Sequence, residues 1–372
     1  MFSQAFKKLF LAIMLLAIVV VAILQFCVSK FKPQKEATPL KIVETDSRYH
    51  YTPRAYPAAS NNLALTNSEA VGEEAPVPKI SPEQAEAWLA KHNRNASSLL
   101  AAFRAMGDTN YLNEAATNFP NDPRVELAVL AHDEFPADRR KWLDLFKASS
   151  PSNSLANYFS AEDYFKNGKP DEAVRELLAA SDKSQFNNHA MEAQLDAEEL
   201  YLDSGKSARE ASSFAMSDMI GENTPELVTI KQMDHGIADL MQQKMDAGDA
   251  NSAATLAEMG MLIADKLNSE DSGKYLINQL VGKATAAIVL QHLDQNAAYD
   301  FLDGQTPAQV TEALKQQKIE LRKLMTDFTP VSFQMMTSES EMASYNQRVK
   351  IYGEVEAMKW AIQQHLLADP AK

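Results

Sequence analysis

The sequence predicts an all-α protein, a solenoid-like array of helix hairpins preceded by a single transmembrane helix and a disordered linker. Three observations predict it. First, helix-start signals recur. Ser81-Pro82 with Gln84 and Thr306-Pro307 with Gln309 each combine an N-cap, a proline suited to the first helical position and a capping-box partner. Ser338 with Glu341 repeats the device without proline, and Thr224-Pro225 is a simpler version. Second, apolar residues behind these starts follow helical spacing. Val310, Leu314, Leu321, Leu324 and Phe328 form one stripe, and Tyr345, Val349, Tyr352, Ile362 and Leu366 another. No run shows the period-2 alternation of a strand. Third, the breaks "KNGKPDEA" (166–173), "DSGKSAREA" (203–211) and "DAGDANSAA" (246–254) are short and alike, with Gly after one helix and Ala opening the next. Gly168, Gly205 and Gly248 are 37 and 43 residues apart, the imperfect period of a helix-hairpin array.

In chain order, residues 1–8 are a short tail and residues 9–28 ("LFLAIMLLAIVVVAILQFCV") the transmembrane helix, with 19 apolar residues of 20. At about 1.5 Å per residue this helix spans about 30 Å, the thickness of a bilayer's hydrocarbon core. Bulky Phe26 before Cys27 argues against a lipoprotein signal, and the segment lacks the small residues of a cleavage site, so an uncleaved anchor is expected. A charge count of the flanks favours a cytoplasmic domain, whereas a short tail ahead of one long apolar helix is the form of an exporting signal anchor. We expect the latter, in a bacterial inner membrane. Residues 29–80 are a Pro-rich linker. Seven of the 16 prolines fall between residues 33 and 82, and such a polar segment cannot bury enough apolar surface to order itself. Residues 81–220 are the hairpin repeats, and residues 221–372 further hairpins ending in a long C-terminal helix.

The net charge of −14 is unevenly spread. Residues 1–82 hold nine Lys/Arg against six Asp/Glu, and the remaining 290 hold 27 against 44. With no basic stripe interrupting it, that surface repels phosphate backbones and excludes nucleic acid as a partner.

Residues 157–181, within "YFSAEDYFKNGKPDEAVRELLAAS" (158–181), resemble a tetratricopeptide (TPR) unit. Ala161 stands at that family's small first-helix position, Tyr164 at its aromatic one and Gly168 at the turn. Ala173, Leu177 and Ala180 follow on the second helix. Asn157 and Ser160 depart from the family's Trp and Leu, and Gln185 sits where Pro is frequent. The stretches around 99–130 and 190–214 are more degenerate neighbours. The resemblance implies that Tyr158, Glu162, Phe165 and Lys166 face a partner-binding groove; the alternative is that Tyr158 and Phe165 pack against the preceding hairpin.

No motif of chemistry stands out. The seven histidines are scattered, no two at the three- or four-residue spacing that would bind a metal on one helix face. "HDE" (132–134) and the "DH" of 234–235 read as solvated helix ends rather than acid–base pairs. "GKS" (205–207) lacks the earlier glycine of a phosphate-binding loop, since position 200 is Leu. "ADLMQQKM" (238–245) resembles a motif of helical lytic transglycosylases without a matching catalytic Glu upstream. Seven methionines between Met216 and Met261 read as core filling. No cofactor or metal is expected. The sequence therefore predicts a membrane-anchored scaffold for protein–protein interaction in a bacterial envelope. The alternatives are an envelope hydrolase with a superhelical cleft and a purely structural spacer.

Overall fold

The computed structural model describes residues 80–222, 225–269, 272–335 and 337–368, all within one compact unit. The expected transmembrane helix and residues 29–79 of the expected linker lie outside the described residues; Ile80, the last of that linker, is buried in the core. Every regular element described is helical, with fifteen α-helices, two 3-10 turns and no strand among these residues. No described helix is long and apolar enough to cross a membrane.

The helices start where local chemistry predicts. Helix α1 (Pro82–Lys91) opens on a complete capping box, Ser81 accepting from the Gln84 N–H and Gln84 from the Ser81 N–H. Asn95 caps α2 (Ala96–Met106), Asp108 caps α3 (Thr109–Asn118), and Asp122 with Pro123 opens α4 (Pro123–His132). Helices α5 (Arg139–Ser149), α6 (Leu155–Lys166) and α7 (Pro170–Ser181) follow, then α8 (Ala190–Asp203), α9 (Ala208–Glu222), α10 (Pro225–Asp246) and α11 (Ala250–Leu267).

Three hairpin turns share one hydrogen-bond pattern. After α6, α8 and α10 the glycine is left-handed (φ 66°, 82° and 77°). The next residue's N–H reaches five residues back: Lys169 to Tyr164, Lys206 to Tyr201, and Asp249 to Lys244, at 2.9, 3.0 and 2.8 Å. This is a Schellman closure, which satisfies the last carbonyls of a helix and favours Gly at the left-handed position. The chain is therefore built of packed helix pairs with a recurring turn.

The pairs do not stack in sequence order. Helix α6 pairs with α7, but the pair lying on them is α10–α11, with α10 on α6 and α11 on α7. The intervening α8–α9 hairpin turns back, and α8 packs on α2 and touches α1. The segment between α7 and α8 directs this reversal. It runs beside the start of α6, where the Ser154 N–H donates to the Gln185 carbonyl at 2.8 Å and the Gln185 N–H to the Ser152 carbonyl at 3.1 Å. Asn153 clamps it further, donating to the Asn187 carbonyl (2.7 Å) and accepting from its N–H (3.0 Å). A simple solenoid, in which each repeat touches only its neighbours, is thus closed on itself.

Helix α12 (Leu276–Leu290) packs on α10 and α11, and α13 (Pro307–Met335) then leads to α14 (Glu339–Tyr352) and α15 (Glu354–Ala368). Helix α14 packs on α9. Among the described residues, the last two helices are shorter ones broken at Gly353, not one long helix, and the long helix is α13 with 29 residues. Burial does not follow the whole of the second apolar stripe: Tyr345 and Val349 are buried, whereas Tyr352 and Leu366 are exposed.

Candidate partner-binding surface

The four residues of the expected groove lie on α6. Tyr158 is 2% exposed, Glu162 1% and Phe165 4%; Lys166 alone reaches the surface. The covering element is the chain's own α10, which lies along α6. It comes close because residue 236 is glycine: a Cβ there would sit 2.7 Å from the Phe165 ring carbons, too near for any side chain. The face that the TPR resemblance assigns to a partner is therefore filled from within. The signal for this closure is not local to α6. Gly236 lies 71 residues after Phe165 and reads in the sequence as an unremarked glycine inside a helix.

Burial sets the electrostatics of this interface. The Glu162 carboxyl is pushed above the usual carboxylate range by desolvation, opposed by Lys166, whose Nζ lies 2.5 Å away. On α10, Asp234 is fully enclosed and accepts from the Thr285 hydroxyl at 2.5 Å, and burial raises its pKa to about 7. The Tyr158 phenol is raised too, chiefly by burial. The polar residues at the family's Trp and Leu positions have a use in this fold. Asn157 and Ser160 both donate to Glu176 on α7 (2.7 and 2.9 Å), and Lys147 on α5 joins them at 2.8 Å. Departure from the repeat pattern thus substitutes a hydrogen-bonded junction for an apolar one.

Two concavities offer room for other chemistry. Near the centre, Arg104, Arg124, His132, Asn188, His189 and Glu226 surround a pocket of about 20 Å³. Burial raises Glu226 to about 7 and lowers His132 to about 4. This is a carboxyl–imidazole neighbourhood of the kind a hydrolase would need, but its volume suits a single water. The second is an open cleft of about 420 Å³ between α1 and the end of α8, lined by Gln84, Ala87, Trp88, Lys91, Asp203 and Ser204. Lys91 and Asp203 pair across it at 2.5 Å, and no two carboxyls line it. Among the described residues no group of three or more His, Cys, Asp or Glu could hold a metal ion. Asp133, at the end of α4, is solvated and pairs with Arg139 at 3.3 Å, whereas the "DH" of 234–235 is not a solvated helix end: it lies inside α10, where buried Asp234 faces Thr285.

Comparison with protein-family models, with characterised proteins and with solved structures returns no match.

Proposed function

We propose that the chain is a TPR-like helical scaffold, held at a bacterial inner membrane by residues 9–28 with its folded part exported, that brings other proteins together. The observation that carries this reading is the recurring hairpin with its shared Schellman turn, stacked α6–α7 on α10–α11. The well-matched unit at 157–181 adds to it. Repeat arrays of this kind present surface rather than a reaction centre. The hydrolase reading has one point of support, Glu226 beside His132 and His189, but the pocket there is too small for a substrate. With α6 covered by α10, binding falls to the outward faces of the closed array. The test is in-vivo crosslinking of the full-length chain followed by affinity purification. Recovery of the same protein partners at defined stoichiometry supports the scaffold. Recovery of bulk envelope proteins alone contradicts it and favours a spacer.

A further inference from the structure

We infer that the corner joining α14 to α15 is a docking surface for a protein segment that presents a carboxylate beside an apolar side chain. The inference rests on the scaffold reading and names a surface for it.

Val349 is fully buried, whereas Ile351 and Tyr352 beyond it, the last two residues of α14, are exposed where the helix ends. Ile351 is 53% exposed and Tyr352 60%, two large apolar side chains side by side. Arg348 lies with them. Its guanidinium carbon is 4.3 Å from the Trp360 ring centroid and 5.9 Å from that of Tyr352. The Arg348 guanidinium has no ion pair and no hydrogen bond among the described residues, although the part of the chain beyond residue 82 carries 44 Asp/Glu. Most half-buried arginines here are saturated, such as Arg94 with Glu86 and Glu114 or Arg124 with Asp122. Among the described residues, Arg348 is held by two rings and has no anion beside it.

The corner is also rigid. The Gly353 N–H closes α14 on the Val349 carbonyl at 2.9 Å, the Glu354 N–H donates to the Lys274 carbonyl at 2.7 Å, and the Glu354 carboxylate accepts from the Leu276 N–H at 2.6 Å. A surface already ordered before binding loses little entropy on complex formation. Trp, Tyr and Arg are the residue types that dominate binding hot spots. A guanidinium aligned by aromatic faces keeps its planar fork free for a carboxylate. Charge complementarity therefore selects an Asp or Glu on the partner, and Ile351 with Tyr352 selects an apolar neighbour. A lipid surface fits less well, because the net −17 of residues 83–372 is repelled by anionic headgroups.

The test uses the full chain in detergent micelles and a displayed library of random short peptides. Peptides enriched for Asp or Glu next to apolar residues are expected. Their affinity should fall about tenfold or more on Arg348→Glu or Tyr352→Ala and less on Arg348→Lys. Exchanging the peptide's acid for Lys should restore binding to the Arg348→Glu protein, a rescue that misfolding cannot produce. Three results overturn the inference: no enrichment, enrichment without acids, or binders indifferent to positions 348 and 352. The last leaves the scaffold reading standing; that reading falls only if crosslinking of the wild-type chain also recovers no partner. A dye at Tyr352→Cys (with Cys27→Ser) that blue-shifts in vesicles of phosphatidylethanolamine and phosphatidylglycerol, with no peptide present, would assign the corner to lipid and overturn the inference too.

Discussion

Replacing Phe165 by alanine discriminates between a side chain on an open groove and one sealed under α10. The ring is 4% exposed and lies against the backbone at Gly236. Removing it takes away its transfer free energy and leaves a cavity that α10, locked by its own packing on α12, fills only in part. Phe→Ala changes at such sites cost about 3–5 kcal/mol. For a domain of this size each kcal/mol lowers Tm by about 2 °C, so a fall of about 6–10 °C is expected in thermal melts of the full chain in detergent. A groove-facing Phe would cost about 0.5 kcal/mol or less, about 1 °C. Gly236→Ala supplies the reciprocal perturbation, a Cβ forced against the same ring, at about 1–3 kcal/mol. Because the two changes share one contact, the double variant should lose less than the sum. A Phe165→Ala protein melting within about 1 °C of wild type, with additive effects in the pair, would refute the argument that α10 seals this face.

Other perturbations test other parts of the structure. Asp234 is protonated more readily in the fold (pKa about 7) than its ordinary value of 3.8. The folded state therefore gives up stability as pH rises from about 4 to about 7, by roughly 4 kcal/mol in all. Asp234→Asn should flatten that part of the stability–pH curve, and a curve parallel to wild type would show that Asp234 is not enclosed. For His132, lowered to about 4 by burial and Arg104, the sign is opposite: stability is lost as pH falls from 6.5 towards 4. Asn153→Ala removes both hydrogen bonds to Asn187 and should cost about 1–3 kcal/mol, with faster proteolytic nicking between residues 182 and 189. Unchanged proteolysis would mean that this clamp does not hold the reversal. Ser81→Ala should lose about 1 kcal/mol through the α1 cap, read in the denaturation midpoint.

Local chemistry was legible in the sequence wherever the responsible residues are neighbours. The boxes at Ser81 and Thr306 form as their spacing requires, and Ser338 caps α14. The glycines at 168, 205 and 248 all adopt the left-handed turn. Illegibility begins where contacts join distant residues. Periodicity placed Tyr352 on one apolar stripe with Tyr345 and Val349, but Tyr352 is the last residue of α14 and is left exposed where that helix ends. Nothing within residues 190–214 states that this hairpin will pack on α2, because the reversal is enforced by bonds from Asn153 and Ser154 to the segment ahead of it. Three of the four expected groove residues are buried for the same reason: α10, which meets Phe165 at Gly236, lies along α6. Arg348 and Trp360 went unnoticed because their pairing crosses from one helix to the next.

The array closes on itself, so that the end of α8 meets α1 instead of standing in the stack after α7. Lys91 and Asp203 touch at 2.5 Å only in the closed arrangement. The direct measurement is crosslinking of Lys91→Cys to Asp203→Cys, in the full chain carrying Cys27→Ser, with a short bifunctional maleimide that spans the length of the ion pair it replaces, read as a mobility shift on a reducing gel. Closure predicts rapid, intramolecular, concentration-independent crosslinking. In an array stacked in sequence order the α2–α3, α4–α5 and α6–α7 hairpins would separate the two positions, and absence of the crosslink would contradict the account.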